Sequence, residues 1–115
     1  MDEIKQMSMT LAEKMQASSA YQNYLYYKEK LQQNETLKNK IMDFKKKQID
    51  IEVRKTQNTP VSMQEEYDLS DMYSEIMLND IGAGFIENER SVIQLLSNVF
   101  AIIGNNVKVD MDYME

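Results

Sequence analysis

Apolar residues recur at steps of three and four along nearly the whole chain, and this spacing limits the fold to an array of helices. In the first segment the apolar positions are Ile4, Met7, Leu11 and Met15, which share one face of a helix of about four turns. Similar stripes follow in four later segments, and the 115 residues contain a single proline, Pro60. The sequence therefore predicts an all-α fold of about five helices.

Short polar motifs mark where the predicted helices begin. Ser19 with Gln22, and Ser62 with Glu65, match the capping box, in which a hydroxyl accepts a backbone N–H in the first turn of a helix. They predict that the second helix begins near residue 20 and that the fourth begins at Met63. Pro60 breaks the chain ahead of the fourth helix, because the residue before a proline avoids helical conformation.

The third predicted helix is long for so small a protein. It begins after Asn34, a residue that favours the N-cap position, and covers residues 35–56. At 1.5 Å per residue this is about 33 Å, whereas a compact domain of this size has a radius of gyration of about 13 Å. One short neighbour does not cover such a helix, which is a first indication of self-association.

The last predicted helix begins at a cap formed by Asp80 and stops at Gly104, a residue favoured just beyond a helix end. After it, Val107, Val109, Met111 and Tyr113 alternate with polar residues, as in an extended strand. The predicted organisation is one helical domain over residues 1–104 and an extended or β-like tail over residues 105–115. A lone strand is unstable in water, so the tail is either frayed or paired with another copy.

The composition excludes most catalytic and cofactor chemistry. The chain contains no cysteine, histidine or tryptophan, so thiolate metal sites, disulfides, catalytic triads and histidine bases lack their essential atoms. Neither glycine-rich phosphate-binding motif occurs. We therefore expect no catalytic residues, no cofactor, no metal site and no enzymatic activity. The acidic amino terminus lacks a targeting segment and no apolar run is long enough to span a membrane, which predicts a cytoplasmic protein.

The net charge of −6 argues against a general binder of nucleic acids or anionic membranes. The charge is unevenly distributed. Residues 1–27 carry a net charge of −1, residues 28–55 one of +4 and residues 56–115 one of −9. The basic middle and the acidic C-terminal half can attract each other, within one chain or between chains.

Two further functions stay open at this point. The first is an RNA-contacting module, whose phosphate contacts would come from the basic residues of the third helix: Lys38, Lys40, Lys45, Lys46, Lys47 and Arg54. The second is a carboxylate-metal hydrolase. Asp68, Asp71 and Glu75 lie at i, i+3 and i+7 on the fourth helix, a spacing that brings three carboxylates to one face.

Several short stretches resemble the YlbF/YmcA family of small helical bacterial regulators. In the first half they are Ser19-Ala20-Tyr21-Gln22-Asn23-Tyr24, Leu31-Gln32-Gln33-Asn34-Glu35-Thr36-Leu37, Lys40-Ile41, Phe44 and Gln48. In the second half they are Leu69, Tyr73, Ile76, Asn79-Asp80 (often Asn-Pro in the family), Phe85, Glu89, Leu95-Leu96 and Ile103. The resemblance covers residues 4–104.

This resemblance implies an all-helical domain whose long antiparallel helices form an oligomerising bundle, without catalytic activity. The best-known relatives are adaptors that support competence, sporulation and biofilm programmes, in complexes linked to an RNA-degrading endonuclease and mRNA maturation. Some relatives use cysteines to bind an iron–sulfur cluster. This chain has no cysteine, so that cofactor is not implied here, and the chain is more similar to the shorter, cysteine-free members.

Together these features favour a non-enzymatic, cytoplasmic, homo-oligomeric adaptor that acts by protein–protein interaction. Its expected partners are further copies of the chain, as a dimer or higher oligomer, and other bacterial regulatory proteins. We expect six large apolar residues to form the interface with a second copy, and about half of them to be buried only when that copy binds: Phe44, Ile51, Phe85, Ile93, Phe100 and Ile103.

Overall fold

Five α-helices make up the described part of the chain. The computed structural model describes residues 2–109, and within that range it contains no β-strand. The helices are α1 (Asp2–Gln16), α2 (Ser19–Gln32), α3 (Glu35–Thr56), α4 (Met63–Met77) and α5 (Asp80–Asn106). The predicted all-α fold with five helices is confirmed.

Two of the predicted helix starts are confirmed by their hydrogen bonds. The side-chain oxygen of Asn34 accepts the N–H of Leu37 at 3.1 Å, and the hydroxyl of Ser62 accepts the N–H of Glu65 at 3.1 Å. Each bond satisfies one of the backbone donors that a helix leaves free at its start. The third helix covers residues 35–56, as the sequence predicts.

Two other caps lie one residue earlier than predicted. Ser18, and not Ser19, has the extended backbone of an N-cap, and its hydroxyl accepts the N–H of Tyr21 at 3.3 Å. Asn79, and not Asp80, caps α5 through bonds from two backbone N–H groups. In both places two adjacent residues favour capping, and the first of them takes the extended backbone conformation that an N-cap requires.

The last helix continues beyond its predicted end. The sequence predicts a stop at Gly104, but α5 runs to Asn106. The reason is that Gly104 keeps a negative φ and does not enter the left-handed region of a glycine stop. Residues 107–109 do not form the predicted strand, and the rest of the alternating tail lies outside the described residues.

The helices form two antiparallel pairs that meet in one core. In the first pair, Lys40 and Arg54 at the two ends of α3 contact Glu75 and Glu65 of α4. In the second pair, the ring of Tyr24 on α2 packs on Phe85 of α5, with 5.7 Å between centroids. The core consists of buried residues from both pairs: Leu31, Leu37, Ile41, Phe44, Ile76, Phe85 and Ile86.

The chain is flat and extended. Its radius of gyration is 18.5 Å, against about 13 Å for a compact domain of 115 residues. Its extents are 50, 39 and 17 Å, and a helix with its side chains is about 10–12 Å wide. The thinnest dimension therefore holds no more than about two helix layers. None of the helices within residues 2–109 has the length and apolar character needed to cross a membrane.

The turn between α4 and α5 brings two backbones together at Gly82. A Cβ atom on Gly82 would lie 2.5 Å from the carbonyl oxygen of Ile76, far closer than two such atoms can approach. Gly104 sits in the same helix but has open space around it, and a Cβ atom added there would meet no atom within 4 Å. The two glycines therefore differ in packing while sharing the helical backbone.

We expect alanine at these two positions to have opposite effects on stability. Gly82→Ala should lower the free energy of unfolding by about 1–3 kcal/mol, because the backbone of Ile76 has to move. Gly104→Ala should raise it by about 0.5–1 kcal/mol, since alanine favours a helix over glycine. Urea unfolding at one protein concentration measures both. Equal stabilisation by the two alanines would contradict the close approach at Gly82.

Candidate interaction surface

The C-terminal half of α5 carries a stripe of uncovered apolar side chains. Phe100 is 66% exposed and Ile93 is 55% exposed, and Leu96 and Ile103 are exposed as well. Their spacing of three, four and three residues is the a/d spacing of helices that pack along each other. We call these four residues the α5 stripe. Contiguous exposed apolar surface is typical of interaction sites in proteins.

The same part of α5 contains no charge. Residues 91–107 have neither an acidic nor a basic side chain, although 28% of the whole chain is charged. Exposed helices of single-chain proteins normally carry charged residues on their outer face. Depletion of charge is instead a property of the buried centre of protein–protein interfaces. The composition of this segment and its exposure therefore both indicate a surface for protein–protein contact.

An apolar cleft separates α1 from the rest of the fold next to the α5 stripe. Its volume is about 210 Å³. It is lined almost wholly by apolar side chains from α1, α2 and α5: Ala12, Met15, Gln16, Tyr21, Val92, Leu95 and Leu96. No residue of α1 is buried, and Ile4, Met7 and Leu11 stay exposed on it. The uncovered apolar surface thus extends from α5 onto α1.

The structure divides the six residues that the sequence assigns to an interface. Ile93, Phe100 and Ile103 are exposed, as an interface in solution requires. Phe44, Ile51 and Phe85 are buried within the chain itself, so the assignment of these three residues to an interface with a second copy is corrected. Phe44 packs on Tyr73 of α4, and Phe85 lies under Tyr24 and beneath the ammonium of Lys45.

The basic residues of α3 are used largely inside the chain. Lys40 pairs with Glu75 at 2.6 Å, Lys45 with Glu89 at 2.5 Å and Lys55 with Glu66 at 2.6 Å. Arg54 pairs with Glu65 at 2.5 Å and with Asp50 at 3.1 Å. The attraction expected between the basic middle and the acidic C-terminal half therefore operates within one chain.

These ion pairs weaken the RNA-contacting alternative. Three of its six residues, Lys40, Lys45 and Arg54, hold carboxylates of α4 and α5. The ammonium of Lys38 donates to the side-chain oxygen of Gln32 at 2.9 Å. A phosphate would have to compete with these partners, and the neighbouring carboxylates would repel it.

The pair formed by Arg54 and Glu65 joins the C-terminal end of α3 to the N-terminal end of α4. The guanidinium donates to Glu65 and also to the carbonyl oxygen of Pro60 in the connecting loop. The hydrogen bond from Arg54 lowers the pKa of the Glu65 carboxyl below its ordinary value, and the carboxylate raises the pKa of Arg54 in return. The pair fixes the loop between the two helices.

The contribution of Glu65 to the stability of the fold should decrease as the pH falls. Because its pKa is lower in the folded chain than in the unfolded chain, the ion pair stabilises the fold above the ordinary glutamate pKa of about 4.3. That stability is lost as the pH falls through the lowered value. Urea unfolding should therefore separate the parent protein from Glu65→Gln at pH 7 and bring them together near pH 3. The control Glu52→Gln removes an exposed carboxylate of α3. If the stability difference between this control and the parent protein changed with pH as much as the difference for Glu65→Gln, the prediction would be contradicted.

The acidic face of α4 does not form a metal site. Within residues 2–109, no group of three or more acidic side chains is arranged to hold a metal ion. Glu75 is drawn to Lys40, and Asp68 accepts a hydrogen bond from Gln64 at 2.8 Å. The three carboxylates of the hydrolase alternative, with Asp71, therefore do not converge, although their spacing places them on one side of the helix.

Sequence reasoning misses two parts of this surface. Leu96 on the last helix is not among the six residues that the sequence assigns to an interface, yet it is exposed. The sequence likewise assigns no residue of the first helix to an interface, yet Ile4 and Met7 are uncovered. The absence of charge from residues 91–107 is the sequence signal that could have revealed the exposure of Leu96. The sequence alone does not reveal how far α1 stands from its neighbours.

Comparison with known proteins decides the family. The family model described as "Control of competence regulator ComK, YlbF/YmcA" matches residues 4–108. The chain belongs to the YlbF/YmcA family. The resemblance drawn from the short sequence stretches is thereby confirmed, and the α5 stripe and the cleft lie within the matched region.

Relatives of this YlbF/YmcA protein carry the name UPF0342 protein. One from Caldicellulosiruptor saccharolyticus is 31% identical over 97 residues, which cover 84% of this chain and 81% of that protein. One from Caldicellulosiruptor bescii is 28% identical, covering 85% and 82%. One from Symbiobacterium thermophilum is 25% identical, covering 90% and 93%. No solved structure matches the chain.

Proposed function

We propose that this YlbF/YmcA protein is a non-enzymatic, cytoplasmic regulatory adaptor that self-associates and acts by protein–protein contact. The description of its family as controlling the competence regulator ComK supports the regulatory part. The lack of cysteine and histidine, together with acidic groups that do not converge, supports the non-enzymatic part. The contact surface is supported by the uncovered apolar face.

One observation carries the proposal that the protein self-associates: it exposes too much surface for its mass. The accessible area of the chain is 9077 Å². A compact monomer of 13.5 kDa exposes about 6,500 Å². The difference, about 2,600 Å² per chain, exceeds the roughly 800 Å² that each partner contributes to an interface of standard size. A second copy therefore has ample surface to cover.

Co-purification from native cells tests the adaptor function. A tagged copy, produced beside the untagged protein, should recover untagged chains of the same protein, together with other proteins identified by mass spectrometry. An unrelated protein with the same tag is the control. Recovery of the tagged chain by itself would contradict both self-association and the adaptor role.

Gene deletion tests the regulatory part separately. Transcripts that depend on ComK should change in a deletion strain and should return to normal when the parent gene is restored. A gene carrying Phe100→Asp should restore them poorly, because the proposed contact surface would be disrupted. Unchanged transcripts in the deletion strain would contradict the regulatory role while leaving self-association standing.

A further inference from the structure

We propose that a second copy of the chain packs on the α5 stripe with its own α5 antiparallel, on a two-fold axis beside Asn98. In this arrangement Ile93 of one copy lies opposite Ile103 of the other, and Leu96 lies opposite Phe100. This inference rests on the proposed self-association and adds to it the helix, the direction and the register. The partner that covers the α5 stripe is then a second copy of the same chain.

The spacing of the α5 stripe fixes the register. In antiparallel helix pairs the a positions of one helix face the d positions of the other. Ile93 and Phe100 occupy the a positions, and Leu96 and Ile103 occupy the d positions. Only the register that pairs Ile93 with Ile103 places all four residues of each copy opposite an apolar residue of the other. The stripe is then self-complementary, as a two-fold interface must be.

The position of the rest of the domain favours antiparallel over parallel packing of the two α5 helices. The first half of α5 is packed into its own core through Phe85 and Ile86, so the free half projects from one end of a bulky domain. Parallel α5 helices would bring both domains to the same end, where they compete for one volume. They would also place Glu89, the next d position towards the domain, opposite its own copy. The antiparallel direction keeps the two domains at opposite ends and separates the two Glu89 side chains. It also aligns the two helix dipoles favourably.

The chemistry of the surface favours a second copy over a different protein of charged character. Residues 91–107 offer no ionic group to a partner, so an acidic or basic partner helix would lose hydration without gaining a pair. The stripe itself is a matching uncharged surface. The apolar residues of α1 beside the cleft flank the stripe and enlarge the area that a second copy can cover.

Single-cysteine cross-linking tests this arrangement directly, because the chain has no cysteine of its own. Two variants, Ile93→Cys and Ile103→Cys, are prepared separately and oxidised alone or as a re-equilibrated mixture. A disulfide needs Cα atoms within about 7 Å. In the proposed pair each new cysteine is about 15 Å along the axis from its own copy, a distance of ten residues at 1.5 Å per residue. The mixture should therefore form the disulfide-linked dimer, and each variant alone should not.

The alternative outcomes separate this inference from the proposed function. Efficient cross-linking of each variant with itself would indicate parallel helices and overturn the direction. No cross-linking in the mixture, although sedimentation shows an oligomer, would overturn the interface and leave self-association intact. A monomer by sedimentation would overturn both. Ile49→Cys on the outer face of α3 is the control for random collision, and it should stay unlinked.

Discussion

Phe100→Asp should convert the protein to a monomer at micromolar concentration. In the proposed dimer the Phe100 rings of both copies become buried, and burial of one such side chain is worth about 1.5–3 kcal/mol. Two rings therefore account for about 3–6 kcal/mol, or a weakening of the dimer by about 10²- to 10⁴-fold. Burial of two carboxylates would add to this loss. Sedimentation equilibrium over a range of concentrations measures the dissociation constant.

Ile49→Asp is the matched control for that substitution. Ile49 is 60% exposed, close to the exposure of Phe100, and it also lies inside a long helix. The substitution Ile49→Asp places the same charged residue on a helix surface outside the α5 stripe. We expect it to leave the dissociation constant within a few-fold of the parent value. Equal weakening by both aspartates would contradict the assignment of the interface to α5.

Ile76→Ala should cause the largest loss of stability of any single truncation on α4. Ile76 is only 1% exposed and lies in the core where the two helix pairs meet. Removal of its side chain leaves a cavity and forfeits buried apolar contact, which in other cores costs about 2–5 kcal/mol. Urea unfolding measures the change, with the protein concentration held fixed because association also stabilises the fold.

Leu78→Ala is the control, two residues along the chain. Leu78 is 88% exposed and its truncation removes little buried area, so we expect a change within about 0.5 kcal/mol. A comparable loss from both alanines would indicate that Leu78 is covered in solution. A negligible effect of Ile76→Ala would contradict the core described for the chain.

Local chemistry makes much of the fold predictable from the sequence. Asn34 and Ser62 cap helices where expected because their side chains have one obvious set of free backbone donors to satisfy. Ser18 and Asn79 escape prediction because each stands beside a second residue that also favours capping. The predicted stop at Gly104 is wrong, since glycine permits the left-handed conformation without requiring it.

The candidate surface is less predictable, because helical spacing shows which residues are apolar but not what covers them. Phe85 and Phe100 are equally apolar and lie on the same helix. Only the fold places Phe85 beneath Tyr24 and leaves Phe100 in solvent. The ion pairs of α3 are likewise visible as a charge imbalance, but their partners depend on the antiparallel approach of α4 and on the position of α5.

Sedimentation equilibrium of the unmodified chain at micromolar concentration tests the central claim most directly. The account predicts a species of at least twice the chain mass of 13.5 kDa, one that dissociates only on dilution, because the apolar face of α5 is covered by a second copy. A single species at the mass of one chain throughout the concentration range would contradict it.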